Sequence, residues 1–182
     1  MCNKQKFNGE NKKMNFFLIP LKNKDIYTFK KDMQEAFQHG AMQEFNDLNV
    51  EILPENDIEK SLSAKGSAAY TALVDGKIVG GAIVVIDELT QHNHLDFLYV
   101  KLRIQSKGIG KMIWDEIERL YPQTKIWETY TPYFEKRNVH FYINCLGFHA
   151  VEFFNPYHKD TSIPDEMIGG DYFFRFEKVM KS

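Results

Sequence analysis

The chain has 182 residues, 23 basic against 25 acidic, and a pI near 6.3. That length holds one ordinary domain, and an apolar fraction of 43% with 14% aromatic residues gives it a sizeable core to bury. Near-neutral charge argues against a protein built to coat nucleic acid, and no apolar window is long enough to span a bilayer. Two cysteines, Cys2 and Cys145, cannot form a disulfide framework. Residues 1–13 carry lysines but no apolar h-region, so they read as a flexible lead-in and not a secretory signal. A cytoplasmic location is expected.

Charge is uneven. Eight lysines up to Lys31 face Glu10 and Asp25, then eight acids from Asp32 to Glu59 face Lys60 alone. Such runs are ordinarily solvated helix faces. They can also form an acidic wall that concentrates a cationic ligand.

Residues 15–20 (NFFLIP) predict a short strand, and 24–39 a helix with Ile26, Phe29, Met33, Ala36 and Phe37 at helical spacing before Gly40. A second helix is expected over 54–64, its first-turn acids favoured by the helix dipole. Asp75-Gly76 between the β-branched runs 68–74 and 78–86 predicts a hairpin. Residues 94–100 predict a strand whose alternation puts His94, Asp96, Leu98 and Val100 on one face.

Residues 108–121 follow as an amphipathic helix, with Ile109, Met112, Ile113, Ile117, Leu120 and Tyr121 as its apolar stripe and Pro122 as its stop. A strand over 125–130 and a helix over 135–146 closed by Gly147 come next. Strands over 148–154 and 172–179 flank a polar loop at 155–171. The element order predicts an α/β domain over 14–182, with a mixed sheet and helices on both faces.

The informative segment runs from Val100 to Lys111, where a strand enters a glycine turn that opens a helix. Helix N-termini leave N–H groups unpaired and favour an anion, and glycines let a phosphate come close. A Walker A loop fails, because Met112 follows Lys111 and Gln105 stands where its first glycine belongs. A dinucleotide fingerprint fails at Ile113.

Gln105-Ser106-Lys107-Gly108-Ile109-Gly110 resembles the Q/R-x-x-G-x-G/A acetyl-CoA motif of the GNAT superfamily of N-acetyltransferases. Leu98-Tyr99-Val100 resembles that family's central strand, and Arg137 to Phe148 its downstream helix and Gly-Phe strand entry. The resemblance implies a largely antiparallel GNAT-like sheet and acetyl-CoA as cosubstrate, with no metal. It implies a small-molecule amine acceptor, with no nucleic-acid or membrane partner, and is compatible with a homodimer. Gln105 to Gly110 would hold the pyrophosphate, with Leu98, Tyr99, Val100 and Asn138 as further CoA contacts and amides of Tyr99 or Val100 as oxyanion donors. Two departures are Leu102 where many members have proline and Glu135 where many have asparagine, with Asn138 one turn later.

Transfer of an acetyl group to an amine needs a proton donor for the thiolate and a base for the ammonium. Tyr142 takes the general-acid position by resemblance; Asp96 is the leading base, with His94 and Glu128 as alternatives. His92 and His94 show no third metal ligand, and Cys145, lacking an activator, reads as a core residue. An acidic wall beside such a site would favour a cationic acceptor. A CoA-binding sensor or interaction module without turnover is the alternative, and an enzyme of another phosphate ligand the more distant one.

Overall fold

The computed structural model describes residues 14–44, 51–105, 108–159 and 172–181. The lead-in 1–13, Ser106 and Lys107, and loop residues 160–171 with Asp160, Asp165, Glu166 and Asp171 lie outside it. The elements run β1 (Phe16–Pro20), α1 (Ile26–Glu44), α2 (Glu55–Ser63), β2 (Ser67–Val74), β3 (Lys77–Val85), β4 (His92–Val100), α3 (Ile109–Leu120), β5 (Ile126–Pro132) and α4 (Lys136–His140). A π-helical turn, Phe141–Leu146, continues α4, and β6 (His149–Phe154) and β7 (Phe173–Val179) follow.

The seven strands form one sheet in the order β1-β2-β3-β4-β5-β7-β6, and only β4 and β5 run parallel. The expected element order therefore holds throughout. Asp75 and Gly76 both take positive φ, +49° and +77°, so the hairpin turn has the twist that matches its strands.

α1 and α2 cover one face, where Phe29, Met33 and Ile58 pack with Ile83 and Tyr99. α3 and the π-helical turn cover the other, where Ile113, Trp114 and Ile117 meet Leu95, Trp127, Phe148 and Phe176. Several details differ from expectation. α1 runs through Gly40, because Ala41 is buried and tertiary contact outweighs the roughly 1 kcal/mol cost of a mid-helix glycine. On α3 the stripe centres on fully buried Trp114, while Leu120 lies at the exposed edge. β4 begins at His92: buried Asn93 accepts from the Asp87 N–H (2.9 Å) and donates to Thr124 (2.7 Å), tying the strand start to loops on both sides.

β4 carries the feature that matters most. Its register to β3 pairs Ile83 with Phe97 and Val84 with Leu95, leaving Asp96 as a β-bulge. The bulge breaks the expected alternation. Leu95, Leu98 and Val100 pack into the α3-side core, whereas Phe97 and Tyr99 pack under α1, and Asp96 bonds Ser61 of α2. Asp96 and His94 thus share the α1/α2 face, opposite Leu98 and Val100.

Candidate active site

β4 and β5 pair over three rungs only, His92 with Ile126, Asn93 with Trp127 and His94 with Glu128. Beyond His94 the two strands diverge, and the β5-facing edge of β4 has no strand partner among the described residues. Ladder alternation shows which groups this exposes. Lys101 donates to the Val79 carbonyl (2.9 Å), so in an antiparallel ladder Tyr99 and Phe97 also bond toward β3. The N–H groups of Leu98 and Val100 then point into the gap. The Tyr99 N–H does not; it points toward β3.

Tyr142 closes the gap from the far side. The π-helical turn sets Phe141 and Tyr142 side by side, and Gly147, at φ +80°, ends it as expected. Tyr142 is 7% exposed and packs on Phe148 and Phe176. Burial pushes its phenol up to about 12 and Glu135 adds to the rise, while hydrogen bonds with Thr129 and Thr131 oppose it. Thr129 also donates to the Leu95 carbonyl (2.8 Å), so a polar row crosses the wedge between the strands.

The mouth of α3 lies beside this gap. Gly108 caps the helix at φ +77°, with nothing within 4 Å of the space a Cβ would take. The first helical bond runs from the Met112 N–H to the Gly108 carbonyl (3.1 Å), leaving the amides of Ile109, Gly110 and Lys111 outside the helical ladder. Gly110 is small for a different reason: a Cβ there would lie 2.9 Å from Phe141 Cζ. Gln105 ties the turn down, donating to the Val100 carbonyl (3.2 Å) and accepting from Arg137 Nη1 (2.7 Å).

A cleft of about 150 Å³ joins these parts. Of the residues named from the sequence, Leu98, Tyr99, Val100, Gln105, Gly110, Asn138 and Tyr142 line it. Ala36, Phe37 and Gly40 of α1, together with Glu135, Arg137 and Phe141, line it as well. Arg137 and Phe141 fall inside the second motif block, and α1 carries the start of the run that the sequence offers as an acidic wall.

Two glycine substitutions should separate the two roles. Gly108→Ala forces an L-residue to positive φ at a cost of about 1–2 kcal/mol, and is expected to weaken CoA binding roughly tenfold by calorimetry. Gly110→Ala displaces Phe141 next to Tyr142, so its larger effect should fall on kcat.

Four acids of the run are held in ion pairs. Lys30 pairs with Glu55 (2.5 Å) and Glu59 (2.8 Å), Lys101 with Asp32 (2.9 Å), and Lys60 with Asp57 (2.9 Å). A second acidic group lies on the α1/α2 face of the sheet over β5, β7 and β6. Arg175 bonds Glu128 and Glu152, each at 3.0 Å, and Glu177 at 2.5 Å, one guanidinium against three carboxylates. His92 turns to Glu128 (3.4 Å) and His94 to Asp96, so the two histidines diverge. Cys145 is half-buried against the main core.

These features define a GNAT-type acyl-CoA fold: a sheet that splays beside a glycine turn at a helix N-terminus. The sequence model of the Acetyltransferase (GNAT) family matches residues 26–148, and the chain belongs to that family. It is 44% identical over 168 residues to the uncharacterized protein YrkN of Bacillus subtilis (strain 168), covering 88% of this chain and 91% of that protein. Among solved structures it is similar to the PaiA N-acetyltransferase of Thermoplasma acidophilum in complex with coenzyme A, with TM-score 0.66 and 18% identity over 92% of this chain and all of that one. It is also similar to Naa50 of Arabidopsis thaliana in complex with the bisubstrate analogue CoA-Ac-MVNAL, with TM-score 0.64 and 12% identity over 91% and 99% of the two chains. No helix among the described residues is long and apolar enough to cross a membrane.

Proposed function

We propose that this chain is an N-acetyltransferase that moves an acetyl group from acetyl-CoA directly to a primary amine in a ternary complex. The observation that carries this reading is the open edge of β4, with the Leu98 and Val100 amides facing a gap that buried Tyr142 closes. The residues present fit acetyl-CoA. The α3 amides and the open space at Gly108 suit its pyrophosphate, Gln105 and Asn138 flank the approach, and the β4 edge can pair with an amide-bearing arm. Acetyl-CoA supplies the activated acyl group and a thiolate leaving group.

The amides of Leu98 and Val100 are placed to hold the oxygen that gains charge during attack. A phenol held at about 12 keeps its proton at neutral pH, so Tyr142 stays a donor to sulfur through the working range. The excess of carboxylate around Arg175, on a face that also carries Tyr130 and Phe154, favours a cationic acceptor. The experiment is thiol release from acetyl-CoA with amines of graded charge, with the acetylated product confirmed by mass. Transfer to amines with rates rising with positive charge is expected; binding of acetyl-CoA without transfer to any amine would overturn the reading.

A further inference from the structure

We propose that His92, Glu128 and Glu177 form a binding site for one divalent cation of the zinc class, which fastens β4 to β5 and β7. The site does not depend on the acetyltransfer reading, since none of its ligands lines the cleft. The residues come from three strands of one sheet, and their ligand atoms lie within 4.8 Å of one another. Alternation sets them on the α1/α2 face, because their neighbours Trp127 and Phe176 belong to the α3-side core. His92 Nε2 lies 3.4 Å from Glu128 Oε2. That is long for a hydrogen bond and matches the edge, about 3.4 Å, of a tetrahedron with bonds of about 2.1 Å.

Charge argues for the same ion. Arg175 meets the carboxylates of this face in two parts. Its Nε and Nη2 both lie 3.0 Å from Glu152 Oε2, while Nη1 alone spans Glu128 Oε2 (3.0 Å) and Glu177 Oε1 (2.5 Å). A cationic nitrogen already stands between the two carboxylates that would hold the metal. Three carboxylates against one guanidinium leave a surplus of two negative charges, which is the charge of one divalent ion. Such an ion replaces Nη1, and Glu152 keeps Arg175 through the other two nitrogens. An imidazole nitrogen with two carboxylates suits zinc better than magnesium or calcium, which take oxygen ligands. His94 is turned to Asp96 and takes no part.

Position gives the ion its task. β4 and β5 pair over three rungs, and His92 and Glu128 belong to the first and the last of them. The ion therefore spans the root of the wedge and ties it to β7. Six residues at about 3.3 Å each, a little less across the bulge, part His92 from Leu98, so the ion lies roughly 18 Å from the open edge. That is too far to touch a group bound there. The ion also cancels the surplus charge that favours a cationic acceptor, so the two cations compete for this face.

The test uses the untagged full chain, freed of metal by dialysis against a chelator and titrated with zinc chloride by calorimetry at neutral pH. One equivalent is expected to bind with a Kd of about 10 μM or tighter. His92→Gln and Glu177→Gln should each weaken binding by about tenfold or more. His158→Gln, on the same face but bonded to Glu152, should stay within about twofold. Cobalt(II) in place of zinc should give the visible absorption of a tetrahedral centre in the wild type and lose it in His92→Gln. Zinc should raise the thermal midpoint of the wild type and leave that of His92→Gln unmoved. The His92 side chain is 40% exposed, so this variant folds whatever the fate of Glu177→Gln. Zinc bound equally well by the wild type and His92→Gln, or a wild type that takes up none at high micromolar zinc, overturns the proposal. Acetyl transfer is judged separately, from thiol release, and survives either result.

Discussion

Tyr142→Phe is expected to lower kcat by about a hundredfold or more and leave the acetyl-CoA dissociation constant nearly unchanged. The asymmetry follows from what the substitution removes. The ring, with its contacts to Phe148 and Phe176, survives in phenylalanine, so the wall of the cleft keeps its shape. Only the hydroxyl goes, and with it the proposed donor to the departing sulfur and one member of the Thr129–Thr131 polar row. The phenol also sets a pH prediction. Its ionisation is held at about 12, so the neutral, donating form persists as pH rises and is lost only above the ordinary phenol range. The wild-type kcat should therefore show no basic limb from this group below about pH 10. Single-turnover and steady-state kinetics, with calorimetry of acetyl-CoA binding, check both points; unchanged turnover in the phenylalanine variant would remove Tyr142 from the mechanism.

The fold was legible because its elements are marked by local chemistry. Asp75-Gly76 can adopt two positive φ values, Gly147 can end a helix, and the α3 stripe repeats at helical spacing. The glycine turn into α3 was legible for the same reason, since Gln105, Gly108 and Gly110 lie within six residues. The face of Asp96 was not. A bulge is a property of two strands together, and the run from His92 to Val100 contains no glycine to announce one. The direction of the Tyr99 amide was hidden likewise, because it depends on which β3 carbonyl lies opposite. Glu135 and Gly40 meet across the cleft from distant segments, where a Cβ added at Gly40 would lie 3.6 Å from Glu135 Oε1, and no sequence window holds both.

The charge pattern shows how far composition alone can reach. The lysine-rich start and the acidic run that follows looked like separate surfaces. Lys30 of α1 instead clamps Glu55 and Glu59 of α2. Both glutamates are 56% exposed, so screening keeps the stabilisation small and the pairing chiefly sets how α2 lies against α1. That placement brings Ser61 of α2 to Asp96 of β4.

Trp114→Ala is expected to destabilise the domain by about 3–5 kcal/mol, a large part of what holds a domain of this size. Trp114 is fully buried, with Trp127 and Phe148 rings each at 5.2 Å and the Lys178 ammonium 5.8 Å from its own ring. Cutting it to alanine opens a cavity between α3 and the sheet, and α3 is the helix whose N-terminus forms the cradle. Loss of stability and loss of CoA binding should then rise together with temperature, while binding per folded molecule in the cold stays close to wild type. Trp114→Phe separates size from polarity. Its indole N–H is buried with no hydrogen-bond partner among the described residues, a feature that costs about 1–3 kcal/mol. Phenylalanine gives up packing area but removes that orphan donor, so its net cost should fall well below that of alanine. Denaturant midpoints of the two variants decide the matter: equal losses would mean that the indole N–H imposes no penalty, and a small loss for alanine would mean that α3 is held by something other than this aromatic contact.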